Sequence, residues 1–289
     1  MSDGRRWLVT GANGQLGGFL ADRLRLDNRD FAALTRDELD ITSAASIDAA
    51  LRDVRPSVVI NAAAYTAVDR AEVDEDRARL VNATGPQLLA EALAERGGRL
   101  IHVSTDYVFD GTADHPYKID DPTGPQSAYG RTKLAGEQAV RAALPERSHV
   151  VRTAWVYGGP GANFVNTMRR LEGERETVQV VADQIGSPTF AADLAAGLVE
   201  LAGADVPGGL LHYVNAGQAS WFELTREIFR LIGADPARVQ PVDSAAFPRP
   251  AKRPAWSVLS TRSWTAAGLG APQPWPDALA RAIALDPPG

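Results

Sequence analysis

The 289-residue chain has no cysteine, which excludes disulfides, zinc–thiolate sites and a cysteine nucleophile. It has only four histidines, His102, His115, His149 and His212. None pair at metal-ligand spacing, so no catalytic metal is expected. No apolar stretch approaches the ~18 residues that a membrane span needs, and the amino end carries no signal-peptide core. The glycine motif described below begins at residue 11, which leaves no room for a transit peptide, and the expected compartment is the cytoplasm. There is no basic run and the formal net charge is −6, which argues against a nucleic-acid partner. At 45% hydrophobic residues the chain can build one large domain or two modest ones.

What is present begins with a strand, a glycine turn and a helix. The apolar run Trp7 to Thr10 enters Gly11-Ala12-Asn13-Gly14-Gln15-Leu16-Gly17, and apolar residues at helical spacing follow from Phe19 to Leu24. Glycines at 11, 14 and 17 suit a tight turn, a close approach of backbone to a pyrophosphate, and close helix–strand packing. Phosphates would then sit on a helix N-terminus, where free N–H groups and the macrodipole favour anions. A second strand, Phe31 to Leu34, ends in Thr35-Arg36 where a strict NAD site places an acid. Arg36 suits a 2′-phosphate, so NADPH should be usable; the alternative is a solvated surface charge. Asp40-Ile41 reads as the stub of a further strand, with Asp40 near the adenine end. Val58 to Asn61 is a continuous apolar strand, followed by Ala62, Ala63, Ala64 and Tyr65. Those small residues either leave room for a flat ligand or allow close helix–sheet packing.

The chemistry is concentrated further on. Leu100 to Val103 reads as a strand leading to Ser104-Thr105-Asp106, and Tyr129-x-x-x-Lys133 puts a phenol and an ammonium on one helix face. A neighbouring cation is expected to pull the phenol below its usual pKa near 10. Together the hydroxyls and the phenol can polarise a carbonyl and give it a proton, with the nucleotide site supplying hydride.

Strands near 6–10, 31–34, 57–61, 99–104 and 149–154 alternate with helices near 15–26, 43–53, 75–96 and 127–144. That pattern predicts an α/β fold, a Rossmann-like doubly wound parallel sheet with a smaller C-terminal α/β substrate domain. A helix from Ala191 to Leu201 and a strand from Leu211 to Val214 are expected to return to the first sheet. The predicted division is therefore 1–157 with 191–215 for NAD(P), and 158–190 with 216–289 for the nucleotide sugar.

The glycine motif, the Tyr-Lys pair and the Ser-Thr strand resemble the extended short-chain dehydrogenase/reductases. Asn61 to Asp69, Ser104 to Gly111, Tyr129 to Glu137, Arg152 to Gly158, Asp183 to Thr189 and Pro250 to Pro254 resemble the dTDP-4-dehydrorhamnose reductase family within them, in the same order over nearly the whole chain. The resemblance implies reduction of the 4-keto group of dTDP-6-deoxy-L-lyxo-4-hexulose by NADPH or NADH, giving dTDP-L-rhamnose. It implies Tyr129 as proton donor, Lys133 on the nicotinamide ribose and Thr105 at the ketone. Asp106 and Trp155 would line the sugar pocket, and Arg253 would meet the diphosphate; the alternatives are a turn cap for Asp106, a core aromatic for Trp155 and a surface carboxylate partner for Arg253. Trp221 is either a pocket wall or a helix staple, with Ser220 as N-cap. Some relatives dimerise through magnesium held by an acid just after the glycine motif. Gly18 and Phe19 stand there, so neither metal nor that dimer is carried over, and a monomer or weak homodimer is expected. The alternatives are a reductase of another nucleotide-linked 4-keto sugar, an epimerase or dehydratase, and a non-catalytic regulatory subunit of the same fold.

Overall fold

The computed structural model describes residues 6–285. In chain order the first half is β1 (Arg6–Thr10), α1 (Gln15–Leu26), β2 (Asp30–Leu34), α2 (Ala44–Val54), β3 (Val58–Asn61), α3 (Val68–Ala71), α4 (Glu75–Arg79), α5 (Gly85–Arg96), β4 (Arg99–Thr105), α6 (Ala128–Ala143) and β5 (Ser148–Thr153). Then come β6 (Val156–Tyr157), α7 (Phe164–Glu174), β7 (Val178–Val181), β8 (Ile185–Gly186), β9 (Thr189–Phe190), α8 (Ala191–Gly203) and β10 (Gly209–His212). The chain continues through β11 (Ala219–Ser220), α9 (Trp221–Leu231), β12 (Val239–Val242), α10 (Arg262–Ala266) and α11 (Trp275–Leu285).

Six parallel strands form the main sheet in the order β10-β5-β4-β3-β1-β2. Side chains alternate across it: Trp7, Val9, Ile60 and Ile101 pack under α1 and α8, while Leu8, Val59 and Leu100 pack under α2, α5 and α6. Both faces are covered, which is why these strands read as unbroken apolar runs. Each fully buried Leu, such as Leu20, Leu24 or Leu198, contributes about 1.5–3 kcal/mol over an exposed one. A third cluster holds Val165, Val178, Leu224, Ile228, Phe229 and Leu279 beside three two-stranded pairings, β11–β8, β12–β7 and β6–β9.

Three local expectations differ from the structure. Asp40-Ile41 is no strand: the Asp40 carboxylate accepts from the Thr42 backbone N–H (2.9 Å) and hydroxyl (2.7 Å), and Ser43 then caps α2. Side chains take the backbone bonds that a strand would have made. The expected helix over 75–96 contains a π-helical turn at Leu80–Thr84, with the Gly85 N–H bonded to Leu80. Pro86 has no N–H to give to the carbonyl four residues back, so the regular ladder breaks there. The last strand pairs over Gly209–His212 rather than 211–214, because its first glycine is a paired residue rather than a turn. It lies against β5, and α8 packs beside α1 in one core cluster.

Candidate active site

Strand order reverses between β1 and β3, and ligands in such sheets bind at the carboxyl ends of the strands beside that switch point. A cleft of about 830 Å³ opens there. Gly11, Gly14, Gln15 and Leu16 form one wall, and Ala62, Ala63, Ala64 and Tyr65 another. Gly11 has φ +71°, and a Cβ on it would stand 2.8 Å from the Ala63 nitrogen. The alanine stretch therefore packs its backbone against this turn while its residues line the cleft. Gly14 caps α1 with no side chain on the free N–H groups, and Gln15 donates to the Gly158 carbonyl (2.8 Å) and ties the loop down. This cradle fits a pyrophosphate. Gly17 lies behind it, buried against Gly11.

The far end of the cleft carries Arg36, Asp40 and Ile41, together with Arg77 from α4. Neither arginine makes a hydrogen bond or ion pair among the described residues, so both guanidiniums are available to a phosphate. Hydrogen bonds from Thr42 hold Asp40 below its ordinary range, with Arg36 and Arg77 adding a smaller pull.

The near end gathers residues from three elements. Ser127 caps α6 by accepting from the Gly130 N–H (3.1 Å), which sets Tyr129 and Lys133 in its first two turns. Thr105 closes β4, donates to Asp106 Oδ1 (2.9 Å) and lines the cleft beside Tyr129. The Tyr107 and Tyr129 rings meet edge to face at 5.6 Å. Desolvation pushes the Tyr129 phenol up to about 12, against a smaller lowering by the Thr105 hydroxyl and with the Asp106 charge adding to the rise. This reverses the expectation that Lys133 lowers it. The ammonium is instead aimed at the Val103 carbonyl (2.7 Å), and its own burial drops it to about 8. Tyr129 therefore stays a protonated phenol, the form that can donate.

Asp106 is buried, and burial raises its carboxyl to about 6. Trp155 and Trp221 line the cleft and stack on one another at 3.5 Å and 6°. Trp155 sits at φ +47°, a left-handed backbone that bulky residues rarely adopt. Ser220 and Glu223 form a capping box on α9, so Trp221 is both the first residue of a capped helix and a cleft wall. Arg253 is outside the wall expected for it: its guanidinium donates to Asp69 (2.8 Å) and to the Ala251 carbonyl (3.0 Å).

Sequence reasoning missed Arg77, Tyr107 and Asn82. Arg77 lies about forty residues beyond Arg36 in an exposed-looking charged helix, with no local signal. Tyr107 belongs to the Thr105 to Phe109 stretch, whose selectivity was the available clue. Asn82 sits in the π turn, accepts from the Tyr65 N–H (2.8 Å) and donates to its carbonyl (3.1 Å) and to Thr132 (3.2 Å). It locks the alanine wall to the helix that carries Tyr129. Among the described residues no group of three or more His, Cys, Asp or Glu is arranged to hold a metal.

With this geometry in place, comparisons with known proteins add an independent line. The family described as RmlD substrate binding domain matches residues 5–286. The chain is 54% identical over 284 residues to a dTDP-4-dehydrorhamnose reductase of Mycobacterium tuberculosis, covering 96% of this chain and 92% of that protein. It is 51% identical over 279 residues to a probable dTDP-4,6-dihydroxy-2-methyloxan-3-one 4-ketoreductase of Streptomyces antibioticus, covering 96% and 94%. A crystal structure of the Bacillus anthracis dTDP-4-dehydrorhamnose reductase in complex with NADP superposes with a TM-score of 0.94 at 38% identity, covering 99% and 100%.

Proposed function

Because this chain belongs to the RmlD substrate binding domain family, we propose that it reduces the 4-keto group of a dTDP-linked 6-deoxyhexulose with NADPH or NADH. The substrate of choice is dTDP-6-deoxy-L-lyxo-4-hexulose and the product dTDP-L-rhamnose. The observation that carries this reading is the meeting of Tyr129, Thr105 and Lys133 in the same cleft as the glycine cradle.

Bound NAD(P)H supplies the hydride. The chain's own residues do the rest. Tyr129 presents its hydroxyl, and Thr105 would turn its own from Asp106, to the point where negative charge would grow on the ketone oxygen. Tyr129, held protonated by its buried setting, gives up its proton there; general-acid help of this kind is worth about 10²–10⁴-fold. Lys133 holds the nicotinamide ribose, and Asp106 with the Trp155–Trp221 pair faces the sugar. Arg253 reaches the diphosphate by exchanging Asp69 for it. Residues 1–157 with 191–215 bind the cofactor, and 158–190 with 216–289 complete the sugar site.

Arg36 and Arg77 together receive a 2′-phosphate. Arg36→Ala is expected to weaken NADPH, but not NADH, by at least about tenfold, the loss of one charge-assisted hydrogen bond. Equal weakening in fluorescence titrations of the two cofactors would make Arg36 a surface charge.

The pH dependence follows from the two buried charges. Activity needs Asp106 ionised, which holds above about 6, and Lys133 protonated, which holds below about 8. A kcat/KM profile should therefore be a bell with limbs near those values, since kcat/KM reports the free enzyme's groups. Tyr129 does not form the alkaline limb, because it keeps its proton to about 12. An acid limb unchanged in Asp106→Asn would remove Asp106 from this account.

The test of the function is oxidation of NADPH or NADH with dTDP-4-keto-6-deoxyglucose, run with and without its 3,5-epimerase. Oxidation that requires the epimerase and yields dTDP-L-rhamnose supports the reading. Oxidation without the epimerase favours reduction of another dTDP-4-keto sugar, a reading encouraged by the 51% identical Streptomyces antibioticus 4-ketoreductase. A folded protein that binds cofactor and oxidises none would leave another keto sugar or the non-catalytic subunit.

A further inference from the structure

The stripe of α6 that carries Tyr129 and Lys133 continues one turn to Glu137. That carboxylate is buried, and it has three donors: Ser104 Oγ (2.5 Å) and Arg152 Nε (2.9 Å) on Oε1, and Arg152 Nη2 (2.7 Å) on Oε2. Both partners of the ion pair are 3% exposed. The arginine also lies over the Phe109 ring at 4.8 Å. Ser104 is the residue between Val103, whose carbonyl takes the Lys133 ammonium, and Thr105, which faces the cleft. One strand thus presents the lysine's anchor, the carboxylate's anchor and the hydroxyl beside the proton donor in consecutive residues.

We propose that the Glu137–Arg152 pair, tied to Ser104, is the positioning device that keeps Lys133 charged and aimed at the cleft wall. The proposal rests on the reading of Lys133 as a cofactor-binding ammonium. An isolated ammonium buried this deeply gives up its proton, and an adjacent carboxylate opposes that loss. The groups around Lys133 make Glu137 the source of that opposition. On its own helix stand Tyr129, a neutral phenol, and Glu137. From β4 comes His102, kept neutral by burial and by Lys133 itself. From the turn after β4 comes Asp106, raised by burial. From the π turn comes Asn82, uncharged. From β5 comes Arg152, positive and spent on Glu137, with His212 of β10 facing it as a neutral ring. Removal of the Glu137 charge leaves two cations in one dry layer. Arg152, a cation paired with the same carboxylate, opposes part of its pull on Lys133 by Coulomb repulsion.

The chain has three lysines, Lys118, Lys133 and Lys252, and only Lys133 is buried. Protein carrying 13Cε-lysine should therefore show three resolved signals, which can be titrated without cofactor or substrate. The midpoint for Lys133 is expected near 8 and to fall by at least about one unit in Glu137→Gln. The alkaline limb of kcat/KM should move with it. Replacing a buried pair as a whole is close to neutral for folding, so the double variant Glu137→Gln, Arg152→Met keeps the test alive if the single one does not fold. Its midpoint should lie between the single variant and the parent. A Lys133 midpoint that stays at the parent value in either folded variant overturns the proposal. Absence of turnover in the parent protein would overturn the reductase reading instead, and the lysine titration would still judge the pair.

Discussion

Tyr129→Phe is expected to lower kcat by at least about 100-fold, the lower bound for a lost general acid. The variant keeps the ring, its edge contact with Tyr107 and its place on α6, and loses only the hydroxyl. Folding stability and NADPH affinity should therefore change little, and the loss should appear equally in kcat and kcat/KM, the mark of an interaction made in the transition state. Steady-state kinetics together with a cofactor titration separates the effects. Near-normal turnover would remove Tyr129 from the chemistry and leave Thr105 as the only hydroxyl at the ketone. A large loss of NADPH affinity would instead make Tyr129 part of the cofactor site first.

Gly17→Ala should all but abolish cofactor binding, although Gly17 does not line the cleft. A Cβ there would stand 2.2 Å from the Gly11 carbonyl oxygen and 2.8 Å from its carbon, and both are backbone atoms with no rotamer to escape into. That same carbonyl accepts from the Gly14 N–H (2.9 Å), the bond that closes the turn under the expected phosphates. Helix α1 cannot simply retreat, because Leu20 and Leu24 share a core cluster with Leu194 and Leu198 of α8. The added methyl is therefore accommodated by opening the turn. We expect the NADPH Kd to rise at least about 100-fold, ~2.7 kcal/mol of binding. Overpacking should also cost about 1–3 kcal/mol of stability, seen as a lower Tm. An unchanged Kd would show that the loop relaxes freely and that its geometry is not what holds the pyrophosphate.

Much of the site could be read directly from the chain, because its parts are local. Tyr129 and Lys133 share a helix face by the 3.6-residue period, whatever surrounds them. The turn at Gly11 follows its strand within a few residues, and Ser43, Ser127 and Ser220 cap their helices by bonds that span three positions. Runs such as Val58 to Asn61 announce a sheet covered on both sides, and strand–helix alternation implies a parallel one. What was misread also has a common cause. The expected acidification of Tyr129 by Lys133 counted a neighbouring charge and omitted desolvation, which depends on everything packed around the phenol. The partner that holds the Arg253 guanidinium before any diphosphate arrives, Asp69, lies far away in the chain and could not be named from the sequence. The Trp155–Trp221 stack, the inward turn of Asn82, the second arginine beside Arg36 in the cleft and the burial of Glu137 with Arg152 all join residues distant in sequence. Periodicity and capping belong to the backbone and repeat every few residues, so elements, faces and the glycine cradle were already specified in the order of amino acids. Partners, burial and proton affinities arise where separate segments meet and exclude water, so they came into being with the packed fold.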